Sequence, residues 1–310
     1  MNPLISVIIP TYNKVGHLEL TLSCLGKQDL PSELYEVIVI NDGSTDGTED
    51  FLRRQKVDYN LRSFHQPNYG QAIARNFGLR QANGELVVFI DDDLLTPPHF
   101  LRVHGEAHKK GGKKVVLGRI HRINYFDFTK IKRLILNDEK DAFVELPNFV
   151  EQDLYLDMVE IIYKKKLSSL VWICFTGGNS SVKRDLLLEV GGFDSNFYRW
   201  GPEDIELGFR LHSAGVPFEY SPDAYNYHLD VVKDRNQMLR ETARNLRHLR
   251  KKYPDDERIR DYIDFTSGGF SLEEFYCRHE GMPFKPDDYT DLFRFRPFDY
   301  INLKSEVNND

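Results

Sequence analysis

Three consecutive carboxylates, Asp91, Asp92 and Asp93, directly follow the apolar run LVVFI. A run of that composition reads as a buried strand, so three like charges are forced together at its end, where they repel. Such crowding makes sense with a shared divalent cation. Mg2+ and Mn2+ prefer carboxylate and phosphate oxygens, and a few protein ligands leave positions open for a diphosphate. The competing reading is a helix cap or an exposed acidic turn, and the place after a buried strand favours the cation. A second acidic pair, Glu203 and Asp204, follows Pro202, a favoured first-turn residue, and precedes the apolar stripe Ile205, Phe209 and Leu211. In a first turn both carboxylates complement the helix dipole.

The elements that must position these groups alternate along the chain. From Ile5 to about Leu117, the β-branched runs ISVII, EVIVI and ELVVFI and a weaker LRSFH are separated by helix-period segments. Near-continuous apolar strands between helices are what a parallel sheet covered on both faces requires. The spacing predicts an open α/β nucleotide-binding sheet. Ligands of such sheets sit beyond the carboxyl ends of the strands. Those ends here carry Thr11, Tyr12 and Asn13, then Asn41, Asp42 and Gly43, then the acidic triplet. Residues 125–166 read as a helical excursion over the sheet edge, with its Lys clusters on a solvated face. From Val171 the pattern predicts a strand VWICF, a loop TGGNSS and a helix from Lys183 to Val190. After Asp230 a charged amphipathic helix runs to Pro254. The segment from Ser267 onward is rich in Phe, Tyr, Asp and Arg without periodicity and receives no chemical role.

Composition bounds the classes. The chain has 310 residues, 41% hydrophobic and 29% charged, with 21 Phe and 16 Tyr, enough apolar area for a core. Its 41 Lys and Arg against 48 Asp and Glu give a net charge of −7, which repels polyanions as a whole and argues against nucleic acid as a partner. Three widely spaced cysteines fit neither a disulfide framework nor a metal knuckle. The apolar run at Leu4–Ile9 is short for a signal sequence, and no stretch approaches the ~20 apolar residues of a membrane span. The expectation is a cytoplasmic protein, with peripheral attachment to a membrane as the variant. No GxxxxGK[ST] loop is present, and PTYNKVG stands where GxGxxG would follow the first strand, against P-loop NTPases and dinucleotide dehydrogenases.

Five segments in order, PTYN at 10–13, NDGSTDGT at 41–48, NYGQAIARNFG at 68–78, FIDDD at 89–93 and WGPEDIELGFRL at 200–211, resemble the family 2 type-A (GT-A) glycosyltransferases. The block 176–211, with GGN, GGFD and WGxED, is similar to the C-terminal half shared with β-1,4-galactosyltransferases and chondroitin polymerases. The resemblance covers about residues 4–230. It implies a GT-A fold, a mostly parallel nucleotide-binding sheet flanked by helices. Residues 1–230 would form the catalytic domain, with a nucleotide-sugar half (1–120) and an acceptor and metal half (121–230). A helical and irregular extension would occupy 231–310, and its tail could serve as an acceptor wall, a packing arm or a homo-oligomer contact.

The same resemblance implies roles for individual residues. Pro10, Thr11, Tyr12 and Asp42 would surround the base and ribose, with Asp42 accepting from a uracil imide; an Asx-turn in NDGS is the plainer reading of Asp42. Arg75 and Asn76 would lie near the ribose or diphosphate, although Arg75 also suits a surface helix. The DxD aspartates would be Asp91, towards the ribose or donor sugar, and Asp93, the direct metal ligand, with Asp92 between them. His228 would complete the Mn2+ (or Mg2+) site, imidazole tilting the preference to Mn2+; a lone His is otherwise structural. Asp204 would be the general base, with Glu203 and Trp200 shaping the acceptor pocket. Gly177, Gly178 and Asn179 would let the backbone approach the donor sugar, where an ordinary glycine turn is the alternative.

The function implied is an inverting, metal-dependent transfer of a hexose or N-acetylhexosamine from a nucleotide-diphosphate sugar, UDP-linked, to a hydroxyl of a glycan, glycolipid or protein. Two rivals are a binding protein of the same fold with a dead site, and a sugar nucleotidyltransferase. The joint presence of DDD, ED and His228 argues against the first. The lack of a Gly-rich basic loop after the first strand argues against the second.

Overall fold

The computed structural model describes residues 4–109, 111–123, 127–137, 142–151, 153–197, 199–229, 234–289 and 292–294. The boundary expected at residue 230 and the tail beyond 294 lie outside the described residues.

The N-terminal half follows the expected alternation: β1 (Ile5–Thr11), α1 (Val15–Leu25), β2 (Tyr35–Asp42), α2 (Thr48–Arg54), β3 (Asn60–Gln66), α3 (Gln71–Gln81) and β4 (Leu86–Phe89). β1 pairs in parallel with β2 and β4, and β2 with β3. Every residue of β1, β2 and β4 is buried, as strands covered on both faces must be. The two-residue β5 (Leu94–Leu95) follows the acidic triplet, before α4 (Phe100–Lys109) and β6 (Val115–Ile123). The excursion is helical, as α5 (Phe128–Leu136), α6 (Ala142–Glu145) and α7 (Leu154–Lys164). β7 (Ser180–Lys183), α8 (Arg184–Glu189), α9 (Glu203–Ser213) and β8 (Phe218–Leu229) complete the sheet region. The eight strands form one sheet in the order β3-β2-β1-β4-β7-β6-β8-β5. β7 runs antiparallel to β4 and β6, β5 antiparallel to β8, and β6 parallel to β8.

Two expectations are corrected here. VWICF is no strand but part of a 3-10 helical run, Ser168–Cys174. A short apolar run buried all round has no periodicity to separate the two states. The strand that joins β4 to β6 is instead SSVK, read from sequence as part of a loop and the start of a helix. Its serines are wholly buried because their hydroxyls are satisfied: Ser180 donates to the Thr176 carbonyl at 2.7 Å, and Ser181 Oγ lies 2.8 Å from His104 Nδ1 and 3.0 Å from His108 Nε2. Hydrogen bonding therefore hid this strand from a hydrophobicity pattern.

The C-terminal segment folds as α10 (Arg235–Lys252), α11 (Glu257–Thr266) and α12 (Leu272–His279). The last of these corrects the reading of an aperiodic tail. Ser271 caps it by accepting from Glu274 N–H at 3.1 Å, and Leu272, Phe275 and Cys277 are buried. Leu246, Leu249, Tyr262, Phe265 and Phe275 share one apolar cluster with Val87 and Phe89 of the sheet and with Trp172. The Trp172 ring lies 5.2 Å from Phe209 of α9, 5.4 Å from Tyr262 and 6.4 Å from Phe275. The helix that bears Glu203 and Asp204 thus leans on a core to which the extension contributes. Cys24, Cys174 and Cys277 are buried free thiols.

Candidate active site

The pairing of β5 with β8 brings distant residues together. Leu94 lies opposite His228, and Leu229 donates its N–H to the Asp93 carbonyl at 3.0 Å. His228 Nε2 then stands 3.2 Å from Asp93 Oδ1, a buried oxygen without a hydrogen-bond partner. The other oxygen of Asp93 takes the Lys14 ammonium, which also reaches Asp92 Oδ1 at 3.2 Å. Burial works to raise the pKa of Asp93, but His228 and Lys14 hold it well below the usual carboxylate range. Burial likewise opposes the charge on Lys14, and Asp92 and Asp93 overcome it, raising its pKa.

These residues fit a divalent cation. A buried carboxylate oxygen is left open, and an imidazole nitrogen sits within the span that two ligands of one ion bridge. Among the described residues no group of three or more His, Cys, Asp or Glu side chains converges on a point. The fit is therefore to two facing groups, Asp93 and His228, and not to a preformed cage. Arg122 approaches the other ring nitrogen, its Nη1 3.3 Å from His228 Nδ1, and is itself paired with Asp153. A guanidinium only donates, so Nδ1 is the accepting nitrogen at that contact, and Nε2 is the nitrogen that faces Asp93.

A second linkage joins the triplet to α9. Arg75, 2% exposed on α3, donates from Nη2 to Asp91 Oδ1 at 2.7 Å and from Nη1 to Glu203 Oε1 at 2.9 Å. Its Cζ also lies 5.4 Å from the centre of the Phe193 ring. Gly177 makes this possible, since a Cβ there would fall 2.3 Å from Arg75 Cζ. A Cβ on Gly178 would come 3.3 Å from Asp91 Oδ2, and the Gly178 carbonyl accepts from Asn226 Nδ2 at 3.0 Å. Asp204, half-buried at the start of α9, has its carboxyl pushed up to about 7 by burial and by Glu203 beside it, against the pull of Arg75. Glu203 Oε2 is buried and without a hydrogen-bond partner.

Other residues named from the sequence are placed as follows. Asp42 Oδ1 accepts from Gln66 Nε2 at 2.6 Å and Tyr69 N–H at 3.0 Å, and Oδ2 from Gly70 N–H at 2.9 Å, so this carboxylate fixes the loop before α3. The Asx-turn belongs to Asn41, whose Oδ1 accepts from Ser44 N–H at 2.9 Å. Thr11 donates to Asp92 Oδ2 at 2.7 Å, and burial pushes the Asp92 carboxyl up to about 6. Asn76 clasps the GGFD loop, donating to the Phe193 carbonyl at 2.7 Å and accepting its N–H at 2.8 Å. Asn179 is wholly buried. Its amide donates to the Arg119 and Ala224 carbonyls at 3.0 and 2.9 Å, across the irregularity between β6 and β8, and accepts at Oδ1 from His104, 3.0 Å away. Pro10 is buried in β1 opposite Ile40, while Tyr12 is 48% exposed just past its end. Trp200 is half-buried, its carbonyl accepting from Asn245 at 3.0 Å.

Lys14, Arg122 and the tyrosines Tyr155 and Tyr262 escaped the sequence reading. Lys14 carried a signal, a cation just past a strand end in a sheet whose next strand ends in three acids. Arg122 and the tyrosines carried none, because only the folded chain sets them near His228 and Asp204.

A model described as Glycosyl transferase family 2 matches residues 6–190, and one described as the N-terminal domain of galactosyltransferase matches 159–231. Validoxylamine A glucosyltransferase of Streptomyces hygroscopicus subsp. jinggangensis (strain 5008) is 33% identical over 239 residues, 72% of this chain and 54% of that protein. Chondroitin synthase of Escherichia coli is 29% identical over 277 residues, 84% of this chain and 40% of that protein. The chain spans about half the length of such relatives, or less. Among solved structures, S. aureus TarS 1-349 matches with a TM-score of 0.60 at 21% identity, covering 89% of this chain and 72% of that one. Mannosyltransferase PcManGT from Pyrobaculum calidifontis, in complex with GDP-Man and Mn2+, matches with a TM-score of 0.58 at 24% identity, covering 83% and 66%. Among the described residues, no helix is long and apolar enough to cross a membrane.

Proposed function

The chain belongs to glycosyl transferase family 2, and from that premise we propose that it transfers a hexose or N-acetylhexosamine, with inversion, from a nucleotide-diphosphate sugar to a hydroxyl acceptor. The fold is that of the type-A glycosyltransferases. The observation that carries the reading is the Arg75 bridge, which ties Asp91 of the triplet to Glu203 and so couples the donor side to the helix of Asp204.

In this reading Asp93 and His228 hold Mn2+ or Mg2+, with Asp91 on the donor side. The cation supplies positive charge to the diphosphate as it leaves. Asp204 takes the proton of the attacking hydroxyl, a poor nucleophile until deprotonated. Its carboxyl, pushed up to about 7, is matched to that work near neutral pH. Glu203 is held by Arg75 and, with Trp200, shapes the acceptor pocket. UDP is the favoured nucleotide; a further solved structure of TarS 1-349 is a complex with UDP-GlcNAc. The acceptor is a glycan, glycolipid or protein hydroxyl.

The test is Asp204→Asn. The amide keeps the shape and cannot accept a proton, so turnover should fall by ~10²–10⁴, while calorimetric affinity for UDP with Mn2+ stays as in the parent protein. Parallel loss of UDP affinity would move Asp204 to the donor site or to folding, and unchanged turnover would move the base elsewhere, Glu203 first.

A further inference from the structure

Between α4 and β7 lies a buried polar group that the proposed function does not use. His104 and His108, one turn apart on α4, share one side of the helix, and both are buried, as is Ser181 of β7. Ser181 lies opposite Val88 on one neighbouring strand and Val116 on the other. Its hydroxyl oxygen stands 2.8 Å from His104 Nδ1 and 3.0 Å from His108 Nε2, and His104 Nε2 stands 3.0 Å from Asn179 Oδ1. Burial pushes both rings down to about 4, so near pH 7 each is neutral and carries a single N–H.

The supply of donors then fixes every proton. The carbonyls of Arg119 and Ala224 face the Asn179 amide and only accept, so its nitrogen points at them and Oδ1 at His104. Oδ1 also only accepts, so His104 Nε2 donates to it. Nδ1 of the same ring therefore accepts the Ser181 proton, which leaves His108 Nε2 to donate to the Ser181 oxygen. The chain ends on His108 Nδ1, a buried lone pair without a hydrogen-bond partner. Without the His104 N–H, Asn179 Oδ1 would be a buried acceptor with no donor, a cost that the amide escapes only by turning away from the two carbonyls.

What that amide spans is the irregularity between β6 and β8. From the pair Gly118–Ser221 to the pair Ile120–Asn226, β6 advances two residues and β8 five. Both carbonyls that Asn179 binds lie within that interval, where a Cβ on Gly118 would fall 2.0 Å from the Ala224 oxygen. A bulge resets the register of all that follows it. Beyond this one, Asn226 donates to the carbonyl of Gly178, beside Asp91, and His228 lies opposite Arg122 and Leu94, facing Asp93.

We propose that His104 is a positioning residue for the cation site: its Nε2–H locks the Asn179 amide, the amide holds the β8 bulge, and the bulge delivers His228 to Asp93. The inference rests on the reading that Asp93 and His228 hold Mn2+ or Mg2+. The alternative is a polar network that stabilises the sheet and does nothing else.

Three variants part the network. His104→Gln keeps an N–H at the reach of Nε2 and with it the bond to Asn179. His104→Asn keeps a polar group at the place of Nδ1, beside Ser181, and gives that bond up. Ser181→Ala removes the hydroxyl and leaves His104 against Asn179. Calorimetry reads Mn2+ affinity in the presence of UDP, and the melting temperature without metal or nucleotide reads the stability of each fold. His104→Asn should weaken Mn2+ binding by about tenfold or more, and His104→Gln should restore it to near the parent value. Ser181→Ala should melt earlier than the parent and bind Mn2+ as the parent does. Unchanged affinity in His104→Asn, loss of affinity in His104→Gln or Ser181→Ala, or affinity that simply follows melting temperature across the series would each overturn the proposal. A parent protein that binds no Mn2+ with UDP overturns the cation site itself, and this inference falls with it.

Discussion

At the scale of single residues the site is a chain of charges in which each member sets the next. Arg75 is the hinge of that chain, and its place depends on what Gly177 lacks. Gly177→Ala puts a methyl 2.3 Å from the guanidinium carbon, so Arg75 must leave Asp91, Glu203 or both. Overpacking of this kind costs ~1–3 kcal/mol, and the melting temperature should fall while kcat falls further than that loss of stability explains. The Asp204 carboxyl gives the pH dependence. Its pKa is raised from 3.8 to about 7, so a base there is protonated and idle at pH 6, and kcat/KM should climb with pH along a limb centred near 7. Arg75→Gln removes the charge that holds this value down, and the limb should move to higher pH. The stability consequence has the opposite sign. A carboxyl whose folded pKa is raised contributes stability that is full below pH 3.8 and lost as pH rises through 7. Denaturant titrations should therefore find Asp204→Asn more stable than the parent at pH 8, with the difference shrinking towards pH 4.

At the scale of elements, the pairing of β5 with β8 decides the metal site, because two residues of strand suffice to set Asp93 against His228. His228→Ala leaves that ladder intact and removes one of few ligands. Mn2+ affinity in the presence of UDP, followed by calorimetry, should drop by about tenfold or more. Unchanged affinity would return His228 to a role in which it only neutralises Asp93. Asn179 acts on the same pair from behind, since its amide crosses the irregularity in the β6–β8 ladder at Arg119 and Ala224, four residues before His228.

At the scale of the molecule, the extension and the sheet share one core. Phe275 is fully buried in the cluster that contains Trp172, and Trp172 abuts Phe209 on the helix of Asp204. Phe275→Ala should cost ~3–5 kcal/mol. Chemical unfolding should remain one transition that carries UDP affinity with it. A first transition that spares UDP binding would make residues 235–279 a separate unit.

By itself the sequence determined the parallel half of the sheet, because ISVII, EVIVI and ELVVFI have no other good use than strands buried on both faces. It also marked the acidic triplet and the start of α9, whose signals are local: three like charges after an apolar run, and two acids behind a proline. The tertiary structure alone decided the antiparallel strand at Ser180–Lys183, since hydroxyls silenced by histidines look polar in a sequence and behave as core in the fold. It decided which backbone and side-chain groups Asp42, Asn76 and Asn179 meet within the fold, since the three side chains are read alike until their partners are seen. It also decided that Lys14, Arg75 and Arg122 converge on the triplet and His228. A charge acts over a few ångströms of space, and those ångströms are set by ladder register and helix packing between segments far apart along the chain.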